Sequence, residues 1–117
     1  MSDRTALQQS QAGMRFIAQM TIYNSGDFRR LRTFIREGYH ESALESESLA
    51  ERLAVFRQMY AAIGRLRIRQ VIATDKHHIV VMLEAEKSDV LFLNDLQVHP
   101  DYPHQILAYS HVPLDEM

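Results

Sequence analysis

The sequence predicts an α+β domain in which three helices precede a four-stranded antiparallel meander, the sheet wrapping around one long helix. Two observations carry this. Helical periodicity fills the chain up to Gly64, and period-two alternation begins directly after it. Length supplies the third constraint: 117 residues make one domain, 1–117, with material for a single core.

Each element has its own justification. From about Thr5 to Tyr23, Met14, Ile17 and Thr21 share one face while Phe16, Met20 and Tyr23 share its neighbour, which are helical spacings. Asn24-Ser25-Gly26-Asp27 reads as a turn, with Gly26 free to take positive φ and Asp27 placed to cap the second helix. That helix, Phe28 to about His40, turns Phe28, Leu31, Phe34, Ile35 and Tyr39 inward and Arg29, Arg30, Arg32 and Arg36 outward. The third starts near Ser46 or Ser48 and ends at Gly64. Its apolar stripe, Leu49, Leu53, Phe56, Tyr60 and Ile63, is the most regular in the chain, and predicts the helix on which the core is built.

Beyond Gly64, Leu66, Ile68 and Ile72 alternate with arginines, as in a strand with one wet face. Thr74-Asp75-Lys76 turns the chain into a second strand, His78 to Glu86, and Lys87-Ser88-Asp89 into a third, Val90 to Val98. Both are apolar at consecutive positions, so both faces need cover. This predicts a homodimer formed through the sheet, with alternate residues of Ile79–Leu83 and Val90–Val98 at the contact. A fourth strand, Gln105 to His111, comes after a connection that Pro100 and Pro103 keep out of any ladder.

Composition excludes several classes. Thirteen basic against fifteen acidic side chains leave a formal charge of -2, which argues against a general nucleic-acid binder. The absence of cysteine removes disulfides, thiolate zinc sites and thiol nucleophiles together. The opening Met1-Ser2-Asp3-Arg4-Thr5 is polar, and no stretch approaches the roughly twenty apolar residues of a membrane span, so a cytoplasmic protein without membrane contact is expected. Six histidines raise a metal reading, with His99 and His104 helped by Asp95 or Asp101. The spacing fits no standard zinc pattern, and His77 and His78 point to opposite faces of a strand. No metal and no cofactor are expected. Nucleophile elbows, Ser-x-x-Lys and phosphate-cradling glycine loops are lacking, and no catalytic residue is assigned.

Several short runs resemble a known family. Ile22-Tyr23-Asn24-Ser25-Gly26-Asp27, Glu51-Arg52-Leu53, the strand led by Gly64, Val98-His99-Pro100 and Pro103-His104-Gln105-Ile106 look like the small domain found N-terminal to bacterial penicillin-binding-type serine hydrolases and tail-specific proteases. That domain has the nuclear transport factor 2-like fold, and the resemblance covers about Ile17 to Pro113. It implies a cystatin-like cone, a curved sheet closed by helices, whose mouth can hold a small apolar ligand. The serine nucleophile of the linked hydrolases has no counterpart among these residues, so their activity does not carry over.

Function is then expected to be non-enzymatic, either small-molecule binding or protein interaction. The pocket of such a cone would be lined by Tyr23, Phe34, Tyr60, Asp95 and Tyr109. Asp95 stands between Leu93 and Leu96, and a buried carboxylate there would have a raised pKa. One rival reading is an isomerase, dehydratase or hydrolase of the same fold, using Asp95 and a tyrosine as acid and base. Another is a structural docking module for a serine hydrolase or protease. A side-chain-filled cone favours a structural role, whereas an open apolar cavity with a buried carboxylate favours an enzyme.

Overall fold

A computed structural model describes residues 3–114, so that the polar opening read from Met1 and Ser2 lies outside the described residues. Among those described, five helices precede four strands: α1 (Asp3–Gln8), α2 (Gln11–Ser25), α3 (Phe28–Gly38), α4 (Glu41–Ser46), α5 (Leu49–Ile63), β1 (Leu66–Thr74), β2 (His78–Ala85), β3 (Ser88–Val98) and β4 (Ile106–Pro113). The α+β class and the order of helices before sheet are as expected, while the count of three helices is corrected to five.

Two local causes account for the additional helices. Ser10 interrupts the first segment because its hydroxyl accepts from Gly13 N–H at 3.1 Å, capping a new helix at Gln11. Its hydroxyl also reaches Asp75 O at 2.6 Å, tying the break to the β1–β2 turn. A Cβ on Gly13 would stand 2.2 Å from Leu7 O, so glycine is what allows α1 to fold back against α2. Farther on, His40 caps the short α4, its Nδ1 accepting from Ser42 N–H at 3.2 Å.

The helix lying across the sheet is α2, which packs on β1, β2 and β3, whereas α5 packs chiefly on α3. This corrects the assignment of the core helix. Ala12, Phe16, Gln19 and Tyr23 of α2 are buried at steps of four, three and four. The inclusion of glutamine and glycine in that face dilutes its apolar signal. The cleaner stripe of α5 buries Phe56 but leaves Leu49, Leu53, Tyr60 and Ile63 only partly covered at the core's edge.

The sheet is an antiparallel meander in the order β1-β2-β3-β4. Its registers divide the side chains cleanly. Ile79 pairs with Leu96 and Val81 with Asn94, and these four are fully buried beneath the helices together with Leu83. Met82 pairs with Leu93, and Leu93 with Val112, on the other face. Asn24 ties the layers together: its amide donates to Leu66 O and accepts from Leu66 N–H, both at 2.8 Å. The turns predicted at Gly26 and Gly64 hold, both glycines at φ 74°, whereas the turn expected at Lys87-Ser88-Asp89 is corrected to Glu86-Lys87, with Ser88 and Asp89 already in β3.

Candidate functional site

Beneath α2 and α5, Phe16, Gln19, Met20, Tyr23, Phe56, Leu66, Leu83, Asn94 and Tyr109 surround a cavity of about 10 Å³. That is room for a single water. The polar groups around it satisfy one another. Tyr23 donates to Gly64 O at 2.7 Å, Tyr39 to Gln19 Oε1 at 2.5 Å, and Tyr109 to Asn94 Oδ1. Burial pushes the phenols of Tyr23, Tyr39 and Tyr109 above the ordinary tyrosine range; for Tyr39 it outweighs the opposing pull of the Arg52 guanidinium.

The tyrosines are therefore core residues whose hydroxyls are already used. Burial is tolerated for each because its one polar atom has a partner.

Next to this closed interior lies a groove of about 200 Å³ between the middle of α5 and β4. Val55, Phe56 and Met59 form its apolar wall, with Glu47, Arg52, Tyr109 and His111 completing it. Arg52 is nearly buried and is held by Ala43 O at 2.8 Å and Glu47 O at 2.9 Å, with its guanidinium over the Tyr39 ring. Its other end lies 3.5 Å from the Glu47 carboxylate. His111 stacks on Phe92 at 4.7 Å, and its Nδ1 is 2.8 Å from Asn94 Nδ2. Its Nε2 is buried and, among the described residues, meets no hydrogen-bond partner. Burial lowers its pKa to about 4, so the ring is neutral near pH 7.

The five residues expected in a pocket are dispersed. Tyr23 and Tyr109 do border the inner cavity. Tyr60 stands behind Tyr23, edge-on at 5.4 Å, and also meets Phe28. Phe34 lies with Ile22, Arg29 and Arg30 in a shallow depression on the far side of α3. Asp95 is on the outer face of the sheet, its side chain 47% exposed, with a carboxylate oxygen 2.7 Å from His78 Nε2. The neighbouring Asn94 occupies the inward position instead, because successive strand residues alternate faces. Arg52, Asn94 and His111 escaped sequence reasoning as site residues. Asn94 shares its parity with Phe92, Leu96 and Val98, but Leu91 and Leu93 make the opposite parity equally apolar.

Histidines pair rather than converge. His40 stacks on His99 at 5.2 Å and His77 on His104 at 5.7 Å, and no group of three metal-ligating side chains forms among the described residues. Asp27 acts as the N-cap of α3, accepting from Arg30 N–H at 3.1 Å. No described helix is long and apolar enough to cross a membrane.

The outer face of the sheet is a second candidate surface. Val80, Met82, Leu91, Leu93 and Val112 lie on it and make no part of the core cluster. Paired polar groups flank them: Glu84 holds Arg67 at 2.7 Å and Arg69 at 3.0 Å, and His78 holds Asp95. Neither a family model, a curated protein nor a solved structure matches this chain.

Proposed function

We propose that the chain is a non-enzymatic protein-interaction domain that associates with a second copy of itself through the outer face of the sheet. The observation that carries the reading is the apolar strip Val80, Met82, Leu91, Leu93 and Val112, which among the described residues lies on the sheet face opposite the helix-packed core, Val112 exposed and the other four half-buried. A patch of this kind is costly to leave in water, and a twofold partner covers it with the same residues. Its polar borders are tied up within the chain, Glu84 bridging Arg67 and Arg69 and His78 lying within hydrogen-bond distance of Asp95.

The packed interior supports interaction over turnover. A cavity of about 10 Å³ admits no organic substrate, and the side chain facing it from the middle of β3 is an amide, Asn94, rather than a carboxylate. The order of helices before an antiparallel meander also supports grouping the chain with nuclear transport factor 2-like domains, as its short turn sequences imply.

Sedimentation equilibrium tests the reading. The expected result is a dimer at micromolar concentration, converted to a monomer by Leu93→Lys with an unchanged circular dichroism spectrum. A monomeric wild-type chain at those concentrations would sink it.

A further inference from the structure

On the helix side of the sheet, away from the face assigned to self-association, the geometry points to the groove beside His111 as a binding site for a small neutral molecule that has an apolar body and one hydrogen-bond-accepting oxygen. The basis is the relay Tyr109–Asn94–His111. Tyr109 donates its hydroxyl to Asn94 Oδ1, which turns Asn94 Nδ2 toward His111. An amide nitrogen can only donate, so His111 Nδ1 accepts, and in a neutral imidazole the proton then sits on Nε2. That N–H is buried and no described residue accepts from it. A buried donor left unmet is unfavourable; the atom is closed to a water molecule, so the lining side chains must give way for an acceptor to reach it, and an acceptor that does so gains more than it would at a wet surface.

The rest of the groove defines the ligand. Its volume of about 200 Å³ lies below the range of roughly 300–1,000 Å³ usual for larger ligands, and suits a single ring or a short branched chain. Val55, Phe56 and Met59 offer such a body an apolar wall along α5. Charge selects against ions of either sign. The Glu47 carboxylate opposes an anion, and the Arg52 guanidinium 3.5 Å from it opposes a cation and leaves no free carboxylate to attract one. A neutral carbonyl compound meets both conditions.

Acetophenone is a suitable probe, with ethylbenzene as the match lacking oxygen and benzoate and benzylamine as charged counterparts. Imidazole nitrogen NMR of the free protein should show the proton on Nε2 of His111. Acetophenone should shift that resonance together with the amides of Val55 and Met59, and should bind at least about tenfold more tightly than each of the other three. His111→Phe keeps an aromatic ring against Phe92 and should erase the preference for acetophenone over ethylbenzene. Val55→Trp, at a half-exposed position of α5, should fill the groove and weaken binding at least about tenfold, which keeps the test valid if His111→Phe fails to fold. A proton on Nδ1, equal binding of ethylbenzene, preference for a charged probe, or no response to acetophenone at millimolar concentration would each overturn the assignment. None of these outcomes depends on whether the outer face of the sheet self-associates.

Discussion

His111 is held as a neutral imidazole, and protonating it in place would put a charge among Phe92, Asn94 and Tyr109 without a buried acceptor to balance it. Burial accordingly lowers the pKa from 6.5 to about 4. In the unfolded chain the ring takes its proton at the ordinary value, so between these limits the unfolded state binds more protons and stability is lost as pH falls. The loss begins near pH 6.5 and is complete below about pH 4. We predict that this residue alone costs about 2 kcal/mol between about pH 7 and pH 5. Urea titrations at the two pH values check it, with His111→Phe as the reference that lacks the titration. An identical pH dependence in both proteins would contradict the assignment. At this scale the sequence was least informative. Asp95 drew attention because a carboxylate among leucines stands out, yet the inward position belongs to Asn94. Parity could not be read because both faces of β3 are apolar, one against helices and the other on the outer surface. Tyr23 and Tyr109 were legible as inward residues through their spacing. Their partners, Gly64 O and Asn94, became evident only once the chain was folded.

At the level of elements, the starts of α3 and α5 were legible because Asp27 and Ser48 cap them. Ser48 begins α5 with a reciprocal pair: Glu51 N–H donates to Ser48 Oγ, and Ser48 N–H donates to Glu51 Oε1, both at 3.1 Å. The same bonds hold the Glu51 carboxyl below its ordinary range. Ser48→Ala is predicted to destabilise the protein by about 1 kcal/mol, read from chemical denaturation, with no change in the sheet. A change near zero would mean that packing of Phe56 and Arg52 fixes the start of α5 without its cap. The break between α1 and α2 was not legible for a related reason. Ser10 is a good cap, but it lies inside a run whose apolar spacing continues on both sides. The break is resolved by a long-range bond from Ser10 to Asp75 O, a tertiary contact that local pattern does not encode. The role of α2 was hidden similarly, since Gln19 lies on its buried face and is tolerated there because Tyr39 satisfies it.

For the whole molecule, the question is what the outer face of the sheet does to stability. The strands were expected to need cover on both sides, and the registers separate an inner set, Ile79, Val81 and Leu83, from an outer set, Val80, Met82, Leu91, Leu93 and Val112. The inner set is buried by the protein's own helices. If a second copy covers the outer set, part of the folding free energy resides in association, and unfolding of the dimer to separate chains becomes concentration-dependent by mass action. A hundredfold rise in protein concentration then adds about 2.7 kcal/mol per dimer. Spread over the unfolding entropy of two chains of this size, that raises Tm by about 5 °C. Leu93→Lys puts an ammonium group where the two faces meet, and its Tm should be independent of concentration and equal to the value the wild type approaches on dilution. Differential scanning calorimetry over that range decides the point. A wild-type Tm that does not move with concentration would show that the strip is stable in water by itself, and the self-association reading would fail.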